Sequence, residues 1–584
     1  MTSWKAVLTV VLLAPCHNHS ASQPQPNHKV QSSILKVQSF QSPVDYDISL
    51  AGNFGEPRPH HFHGGLDIRT EGVEGKHIYA IADGYVSRIT MGKNGFGNAI
   101  YITHPTGQTS IYAHLKAFSP RIKAALRRYQ YRHKTCEADA HLKPADVPVS
   151  RGQFIALSGN TGNSTAPHLH LEIRDTHTGN MLDPYQFLDN FIQDTVPPQA
   201  HGFMAIPLGG TFNGSPHPST FIANWSTLNA SGPVGFAIWA DDYMQGSYNH
   251  YGIHETLLYA DGQMVFHSVV DDIPPQQNGM VNSWGCYDYW MSHRTWYMKS
   301  YREPGNTLGC LRTDEHRGII TFADDHDYHL EYVLRDFKGN EARYGFTVKG
   351  TPPSKPTAPS KPPRGEAFLA AAMSPSGDSR GALLRWNRTN SYSLPGVQLV
   401  VPYGRLAADT PLSPRVIRQP DAWSDAYQFA GASLPLMANA ELSVYVHPSG
   451  NVAGGLDPSK FYITDENGRY HGGDFHNGWV TGRVRELASV YEVAYDDCPP
   501  RVKPVSTKGG RLLLSVIDSE SGIASWTATV DGRFIVFDAI EKSTSFACEL
   551  GESWLPRSGT SHRLSFTVTD HRHNSTTYET TFDY

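Results

Sequence analysis

The sequence predicts a mainly β protein: an antiparallel sheet domain with a helical insertion, followed by β-sandwich domains that resemble immunoglobulin folds. Glycine contributes 52 of the 584 residues and proline 40, about 16% together against a usual ~12%. Charged residues make up only 18%, below the usual ~25%, which disfavours disorder and long charged helices. The net charge of −6 provides no basic excess for nucleic acid or an anionic membrane.

Residues 1–22 are predicted to be a secretory signal peptide. Lys5 precedes the apolar stretch Ala6–Ala14, and small and polar residues follow. This stretch is too short to cross a bilayer, and no apolar run in the chain approaches the ~18 residues of a transmembrane span. Cys16 gives a faint likeness to a lipoprotein box, but Pro15 occupies the place of a small residue. We therefore expect export to the periplasm, cell envelope or exterior of a bacterium, without favouring a lipid anchor.

The cysteines of an exported chain are expected to form structural disulfides. The preferred pairs are Cys286 with Cys310 and Cys498 with Cys548, because each pair lies within one predicted domain. Cys136 is then left unpaired. The spacings do not match a zinc ribbon, so cysteine ligation of a metal is not favoured.

The first domain is predicted to span residues 30–195 and to consist of short strands joined by glycine turns. His77–Ala82 and Tyr85–Thr90, for example, flank a glycine turn. The pattern changes over residues 119–149, where a helical insertion is expected. Apolar residues recur there at helical spacing with arginine and lysine between them, at Ile122, Ala125, Leu126 and Tyr129. The basic face of this helix is interpreted as a solvated surface.

Proline-rich boundaries divide the rest of the chain. We expect immunoglobulin-like sandwiches at 196–350 and 496–584, a proline-rich linker at 351–363, and a β-rich domain of unassigned type at 364–495. The two sandwiches share a plan: each ends in alternating strands separated by a turn rich in Asp, Gly or Asn. These turns begin at Asp336 and Asp570.

Three short sequence phrases, residues 60–67, 112–115 and 159–172, carry most of the residues suited to chemistry. In the last of them, residues 168–173 alternate polar and apolar as a half-buried strand does, so His168 and His170 project to one face. The same argument predicts that Tyr112 and His114 share a face. In the first phrase, Gly64 and Gly65 let the backbone curl so that His63 and Asp67 approach one point.

The residue types of these phrases indicate a metal site. Imidazole and carboxylate are suitable zinc ligands, and three protein ligands with an open water position describe a catalytic centre. His60 and His61 are alternative ligands, ranked below His63 because only His63 lies four residues before Asp67.

The three phrases together resemble the lysostaphin/LytM-type zinc metallopeptidases of family M23. The family pattern is H-x(3)-D, then Y-x-H, then a G-N-T-G loop before H-L-H. It is matched here at His63 and Asp67, at residues 112–114, at 159–162 and at 168–170. The resemblance covers about residues 45–190. It implies that His63, Asp67 and His170 bind one Zn²⁺ per chain and that His114 and His168 are the catalytic histidines.

The resemblance also implies amide hydrolysis. Zinc lowers the pKa of bound water to about 7. The chain lacks the H-E-x-x-H motif, so a histidine must act as base. His168 is the first choice and His114 would position the water or stabilise the oxyanion, although the two roles could be exchanged. Glu172 either orients a ligand from behind or has a purely structural role.

The implied substrate is a peptide in bacterial peptidoglycan, in stem peptides or crosslinks, with wall or glycan contacts through the β-sandwich domains. Glycine-rich proteins are a second possible substrate. Two alternatives are a non-catalytic envelope protein, for binding or regulation, and a phosphohistidine transfer protein. The first would show missing ligands, and the second would need no carboxylate such as Asp67.

Overall fold

Strands dominate this computed structural model, which describes residues 39–223, 228–352, 382–431, 433–447, 455–507, 510–555, 557 and 559–584. Strand accounts for 46% and helix for 9%, so the predicted mainly β fold class is confirmed. The predicted signal peptide, Cys16 and most of the proline-rich linker lie outside the described residues. Within the described ranges, every helix is too short or too polar to span a bilayer.

The first region, residues 39–195, is built on an antiparallel sheet with the strand order β1-β4-β13-β8-β7-β6-β10. A second sheet has the order β5-β12-β9, and β2 pairs with β3. The strands are β1 (Leu50–Gly52), β2 (Pro57–Arg58), β3 (His61–Phe62), β4 (Leu66–Arg69), β5 (His77–Tyr79), β6 (Gly84–Met91), β7 (Ala99–Thr103), β8 (Gln108–Ala113), β9 (Ala117–Phe118), β10 (Ala138–His141), β11 (Pro148–Val149), β12 (Phe154–Leu157), β13 (His168–Asp175) and β14 (Met181–Leu182).

Strand β13 lies at the centre of this sheet because its alternating sequence gives it one apolar face. Leu169, Leu171 and Ile173 are fully buried in the core below the sheet. The register pairs His170 with Asp67 of β4 on one side and with Ala113 of β8 on the other. The opposite face of β13 therefore brings the polar residues of three strands together.

The helix predicted within residues 119–149 is present as α1 (Pro120–His133), but the rest of that insertion contains the strands β10 and β11. Proline in the first turn suits a helix start, and Lys134 ends the helix in the left-handed conformation. Three of the residues predicted to face the core, Ile122, Ala125 and Leu126, are buried. Two shorter segments complete the region, α2 (Tyr185–Leu188) and a 3-10 turn (Asp189–Phe191).

The interpretation of the basic face of α1 as a solvated surface is wrong at two positions. Arg127 donates two hydrogen bonds to the carboxylate of Asp538, with N–O distances of 2.9 and 2.5 Å, and its side chain is only 16% exposed. Lys123 forms an ion pair with Glu552. Both acidic partners lie more than 400 residues away in the sequence, so the helix is a docking surface for the C-terminal region.

The second region, residues 196–352, contains sheets that are joined through the long strand β18. Its strands and helices are β15 (Gln199–Pro207), β16 (Thr211–Phe212), β17 (Ser219–Phe221), β18 (Leu228–Asp241), β19 (Glu255–Ala260), β20 (Gln263–Val269), β21 (Asp272–Ile273), α3 (Val281–Trp284), α4 (Tyr287–His293), β22 (Met298–Lys299), β23 (Leu311–Thr313), β24 (Ile320–Phe322), β25 (Asp327–Arg335) and β26 (Glu341–Gly350), with a 3-10 helix at Pro275–Met280. Strand β21 also pairs with β14, which links this region to the first sheet.

The third region, residues 382–495, has a five-stranded and a four-stranded sheet around one core. Its strands are β27 (Leu383–Leu384), β28 (Asn390–Leu394), β29 (Val397–Val401), β30 (Thr410–Pro411), β31 (Arg415–Ile417), β32 (Ala426–Gln428), β33 (Pro435–Tyr445), β34 (Phe461–Asp465), β35 (Asp474–His476), β36 (Trp479–Glu486) and β37 (Tyr491–Tyr495), with a 3-10 turn at Pro458–Lys460.

The fourth region, residues 496–584, is a sandwich of two four-stranded sheets with the orders β38-β39-β43-β42 and β41-β40-β44-β45. Side chains from both sheets share one apolar core. The strands are β38 (Arg501–Ser506), β39 (Arg511–Ile517), β40 (Ile523–Val530), β41 (Arg533–Phe534), β42 (Asp538–Ala539), β43 (Ser545–Glu549), β44 (Ser561–Asp570) and β45 (Ser575–Asp583), with a 3-10 turn at Leu550–Glu552.

The predicted disulfides are not formed, and the five cysteines of the described residues are free thiols. Cys286 packs in a small cluster with Met204 and Tyr297, whereas Cys310 lies against the main core of the second region. Cys498 is exposed while Cys548 is buried in the fourth region. Placement in one domain was thus insufficient to predict pairing, because each predicted pair is divided between different packing environments.

Candidate metal centre

Three neighbouring strands bring the five predicted site residues to one face of the first sheet. Asp67 lies on β4, His168 and His170 lie on β13, and His114 follows β8 directly. His63 reaches the same point from the segment before β4. Gly65 permits this close approach, because a Cβ atom there would lie 2.2 Å from the carbonyl oxygen of Leu171.

Nitrogen and oxygen atoms of His63, Asp67 and His170 converge to a small triangle. The distances are 3.0 Å from His63 Nε2 to Asp67 Oδ1, 3.0 Å from His63 Nε2 to His170 Nδ1, and 2.8 Å from His170 Nδ1 to Asp67 Oδ1. All three residues are buried. Tetrahedral zinc sites use two imidazoles and a carboxylate at bond lengths of about 2.0–2.2 Å, so the donor set and its convergence fit such an ion.

The outer nitrogen of each imidazole has an acceptor that fixes the ring. His63 Nδ1 donates to the carbonyl oxygen of Asn53 at 2.5 Å, and His170 Nε2 donates to Glu172 Oε1 at 3.1 Å. Glu172 is itself held by Arg174, whose Nε donates to Oε2 at 2.7 Å. Outer acceptors of this kind orient metal-binding imidazoles and increase their basicity. The geometry therefore supports the positioning role that the sequence left open for Glu172.

The charges of the triangle are strongly coupled. Burial alone would raise the pKa of Asp67, but the nearby His63 and hydrogen bonds from the histidines outweigh burial and hold this pKa well below its usual range. Burial lowers the pKa of His63 to about 4, so this imidazole is neutral at pH 7. Burial opposes protonation of His170 too, yet its hydrogen bonds to Asp67 and Glu172 raise the pKa to about 9. A divalent cation at this point would replace the proton on His170 Nδ1.

His114 and His168 lie beside the triangle, with their ring centroids 4.9 Å apart. His114 Nδ1 donates to the carbonyl oxygen of Thr161 at 2.7 Å, and His168 Nδ1 donates to that of Ala166 at 2.8 Å. Burial lowers the pKa of His114 to about 3, so its Nε2 is the basic nitrogen of a neutral ring. His168 Nε2 lies 3.2 Å from Asp67 Oδ1, so it faces the donor triangle.

The predicted shared face of Tyr112 and His114 is wrong. Strand β8 ends at Ala113, and His114 adopts a positive φ of 58°, which interrupts the strand alternation. Tyr112 is instead fully buried in the core, where its hydroxyl accepts a hydrogen bond from the backbone of Ile81 at 2.9 Å.

The alternative ligands His60 and His61 lie outside the donor triangle. His60 Nδ1 accepts a hydrogen bond from Asn282 at 3.0 Å, and His61 is exposed with its Nδ1 2.9 Å from the carbonyl oxygen of Pro59. Arg58 is a further neighbour of the site that the sequence analysis did not identify. Its Nη2 donates to Asp67 Oδ2 at 2.8 Å, and the spacing of these two residues gave no signal of that contact.

These observations define a candidate metal centre on an antiparallel sheet. Residues 61–131 match the model of peptidase family M23, and residues 381–496 match that of a Zu5-like domain. The resemblance to this family predicted from the sequence is thus confirmed for part of the first region.

Two curated relatives match part of the chain. A DD-carboxypeptidase/endopeptidase, Mpg, of Neisseria meningitidis serogroup B is 34% identical over 112 residues, which are 19% of this chain and 20% of the relative. The peptidoglycan DD-endopeptidase ShyA of Vibrio cholerae is 31% identical over 137 residues, 22% of this chain and 26% of the relative. The chain thus spans only a fifth to a quarter of the length of these relatives.

Solved structures also resemble part of the chain. The catalytic domain of the antimicrobial peptidase lysostaphin from Staphylococcus simulans is 24% identical, with 24% of this chain and 89% of that chain covered and a TM-score of 0.18. A zinc-containing peptidase from Vibrio cholerae is 28% identical, with 23% and 36% covered and a TM-score of 0.17.

Proposed function

We propose that this chain is an exported zinc metalloendopeptidase that hydrolyses peptide bonds in peptidoglycan, in stem peptides or crosslinks. The observation that carries the proposal is the convergence of His63, Asp67 and His170 within 3.0 Å of one another, with two further histidines beside them. His63 Nε2, Asp67 Oδ1 and His170 Nδ1 would hold the ion. When bound, Zn²⁺ supplies Lewis-acid chemistry, since it polarises a carbonyl group and lowers the pKa of water.

His168 is the proposed general base. Its Nδ1 donates to Ala166 and its Nε2 faces the donor triangle, where it would take a proton from the attacking water and return it to the leaving amine. His114 Nε2 would orient the water or stabilise the developing oxyanion, and its ring is held by the bond to Thr161. The two histidines differ in burial: His114 is buried, whereas His168 is partly exposed and so more accessible to substrate.

The proposed substrate class and location rest on separate observations. The relatives named above are a peptidoglycan DD-endopeptidase and a DD-carboxypeptidase/endopeptidase, which supports a cell-wall peptide as substrate. The basic and apolar start of the sequence supports export to the cell envelope.

We also propose the predicted division into domains, with wall or glycan contacts made by the β-rich regions. Apart from the pairing of β14 with β21, each of the four regions has its own sheets, which supports this division. In the fourth region the strands, lettered A to G in chain order, follow the order ABED in one sheet and C′CFG in the other. This order supports an immunoglobulin-like assignment.

The test is digestion of intact peptidoglycan by the full chain, with and without a chelator, followed by mass identification of the released fragments. We expect peptides freed by cleavage of an amide bond, only in the metal-loaded sample. His168→Ala should release these peptides about 10²- to 10⁴-fold more slowly. His61→Ala, which removes an exposed imidazole outside the donor triangle, should act as wild type does. Fragments that retain every amide bond, or equal digestion by His168→Ala, would contradict the proposal.

A further inference from the structure

A second group of buried carboxylates lies at the junction of the first and second regions. Asp194 precedes the second region, Asp242 follows β18, and Asp336 occupies the turn between β25 and β26. One carboxylate oxygen of each lies within 4.8 Å of the others, and all three residues are buried. We call this group the junction triad.

One oxygen of the junction triad has no hydrogen-bond partner. Only 5% of the surface of Asp242 is exposed. Its Oδ1 makes no hydrogen bond within the described residues. Asp194 Oδ1 accepts from the backbone of Val196 at 3.0 Å. Both oxygens of Asp336 accept from Asn340, Oδ1 from the backbone at 2.9 Å and Oδ2 from Nδ2 at 2.6 Å. A buried carboxylate oxygen without a partner is costly, which implies a group that the protein atoms do not supply.

The fourth region contains a similar group of three aspartates, which differs from the junction triad in its hydrogen bonds. Asp496, Asp518 and Asp570 also place carboxylate oxygens within 4.8 Å of one another. Asn574 Nδ2 donates to Asp570 at 2.8 Å, as Asn340 does to Asp336. Asp518 Oδ1, however, accepts two backbone hydrogen bonds from its own loop, whereas its counterpart Asp242 Oδ1 accepts none. Backbone groups thus satisfy one oxygen of Asp518, whereas Asp242 keeps a buried oxygen without a hydrogen bond among the described residues.

The surroundings of the junction triad provide little compensating positive charge. A cavity of about 10 Å³ adjoins the triad and is lined by Asp183, Asp194, Asp242 and His254, among others. Lys338 is near, but its ammonium group already contacts Asp189. Burial and the neighbouring Asp194 and Asp336 raise the pKa of Asp242 to about 8. Three carboxylates in such a place must be neutralised either by protons or by a cation.

We propose that Asp194, Asp242 and Asp336 bind a calcium ion at the junction of the first and second regions. The donors are all oxygen, which hard cations prefer, and Ca²⁺ accepts irregular sets of carboxylates and water more readily than Mg²⁺ does. Asp242 Oδ1, which has no hydrogen-bond partner among the described residues, would be one of the ligands of the ion. The ring of Tyr185 stacks on Phe337, next to Asp336, with centroids 5.0 Å apart, so the ion would brace an interface of packed rings. This site is independent of the proposed zinc centre.

The experiment counts calcium and zinc separately, by elemental mass spectrometry, in the full chain after chelation and dialysis against calcium. Asp242→Asn should lower the calcium count by one per chain and leave the zinc count unchanged. It should also abolish the rise in Tm that calcium gives the wild type through this site. Asp241→Asn is the matched control, because the neighbouring carboxylate pairs with His201 and His250 outside the triad.

Two outcomes would overturn the proposal. A wild-type chain without bound calcium would show that protons neutralise the triad, and this measurement needs no variant to fold. An Asp242→Asn chain with the wild-type calcium count would place any bound calcium elsewhere. Loss of peptidase activity is not a readout here, so failure of the zinc proposal would leave this test intact.

Discussion

Substitution of Glu172 by glutamine should weaken zinc binding although residue 172 is outside the donor triangle. In the wild type, Glu172 Oε2 accepts from Arg174 at 2.7 Å and Oε1 faces His170 Nε2 at 3.1 Å. Glutamine has one oxygen and one NH2 group. Arg174 can only donate, so it selects the amide oxygen and turns the NH2 group toward His170. His170 Nε2 must then accept, and its proton moves to Nδ1, the atom that would bind the ion.

The expected loss of zinc affinity is about 10- to 100-fold, or about 1.4 to 2.8 kcal/mol, the usual effect of changing a partner of a ligand histidine. Competition with a chromophoric chelator at fixed pH would measure it. The double variant Glu172→Gln with Arg174→Met is the informative control. Without the arginine, the amide can turn its oxygen to His170 and restore much of the affinity.

Wild-type affinity in the Glu172→Gln variant would refute this reasoning. So would equal losses in the single and double variants, because the argument depends on Arg174 choosing the orientation of the amide. Arg174→Met alone should change the affinity little, since the carboxylate still faces His170 Nε2.

Three further predictions follow from the same structure. His168→Ala and His114→Ala should each reduce peptidoglycan hydrolysis by about 10²- to 10⁴-fold while zinc remains bound. Asp67→Ala should lose both the bound zinc and the hydrolysis, as metal analysis and fragment release would show. Wild-type activity without Asp67 would contradict the site. Arg127→Ala leaves the Asp538 carboxylate without two charged hydrogen bonds, so the contact between α1 and the fourth region should lose about 1.5–3 kcal/mol of stabilising free energy. Amide hydrogen exchange in α1 should then be faster. Unchanged exchange would refute the docking role. Alkylation of the denatured chain without reductant should label all five described cysteines, and an unlabelled pair would reveal a disulfide.

The predicted site residues lie close together because local patterns determine most of their placement. Alternation along β13 puts His168 and His170 on one face, and the four-residue offset brings His63 to Asp67. The contacts that fix these rings were not predictable in this way. The carbonyl oxygens of Asn53 and Thr161 hold His63 and His114, and a backbone carbonyl has no signature in the sequence.

Long-range packing accounts for the incorrect predictions. The amphipathic pattern of α1 identifies its buried face, but the partner of Arg127 lies 411 residues away and no local pattern connects them. The cysteine pairs failed for the same reason, since membership of one domain does not determine which side chains meet. The repeated turns at Asp336 and Asp570 were visible in the sequence. The proximity of Asp242 and Asp518 to these turns was seen only in the fold.

Diffraction from crystals of the zinc-loaded chain at the zinc absorption edge would test the central claim most directly. We expect one anomalous peak per chain at the donor triangle, about 2.0–2.2 Å from His63 Nε2, Asp67 Oδ1 and His170 Nδ1. A peak at another place, or no peak in crystals of a chain that carries zinc in solution, would contradict the assignment of these three residues as its ligands.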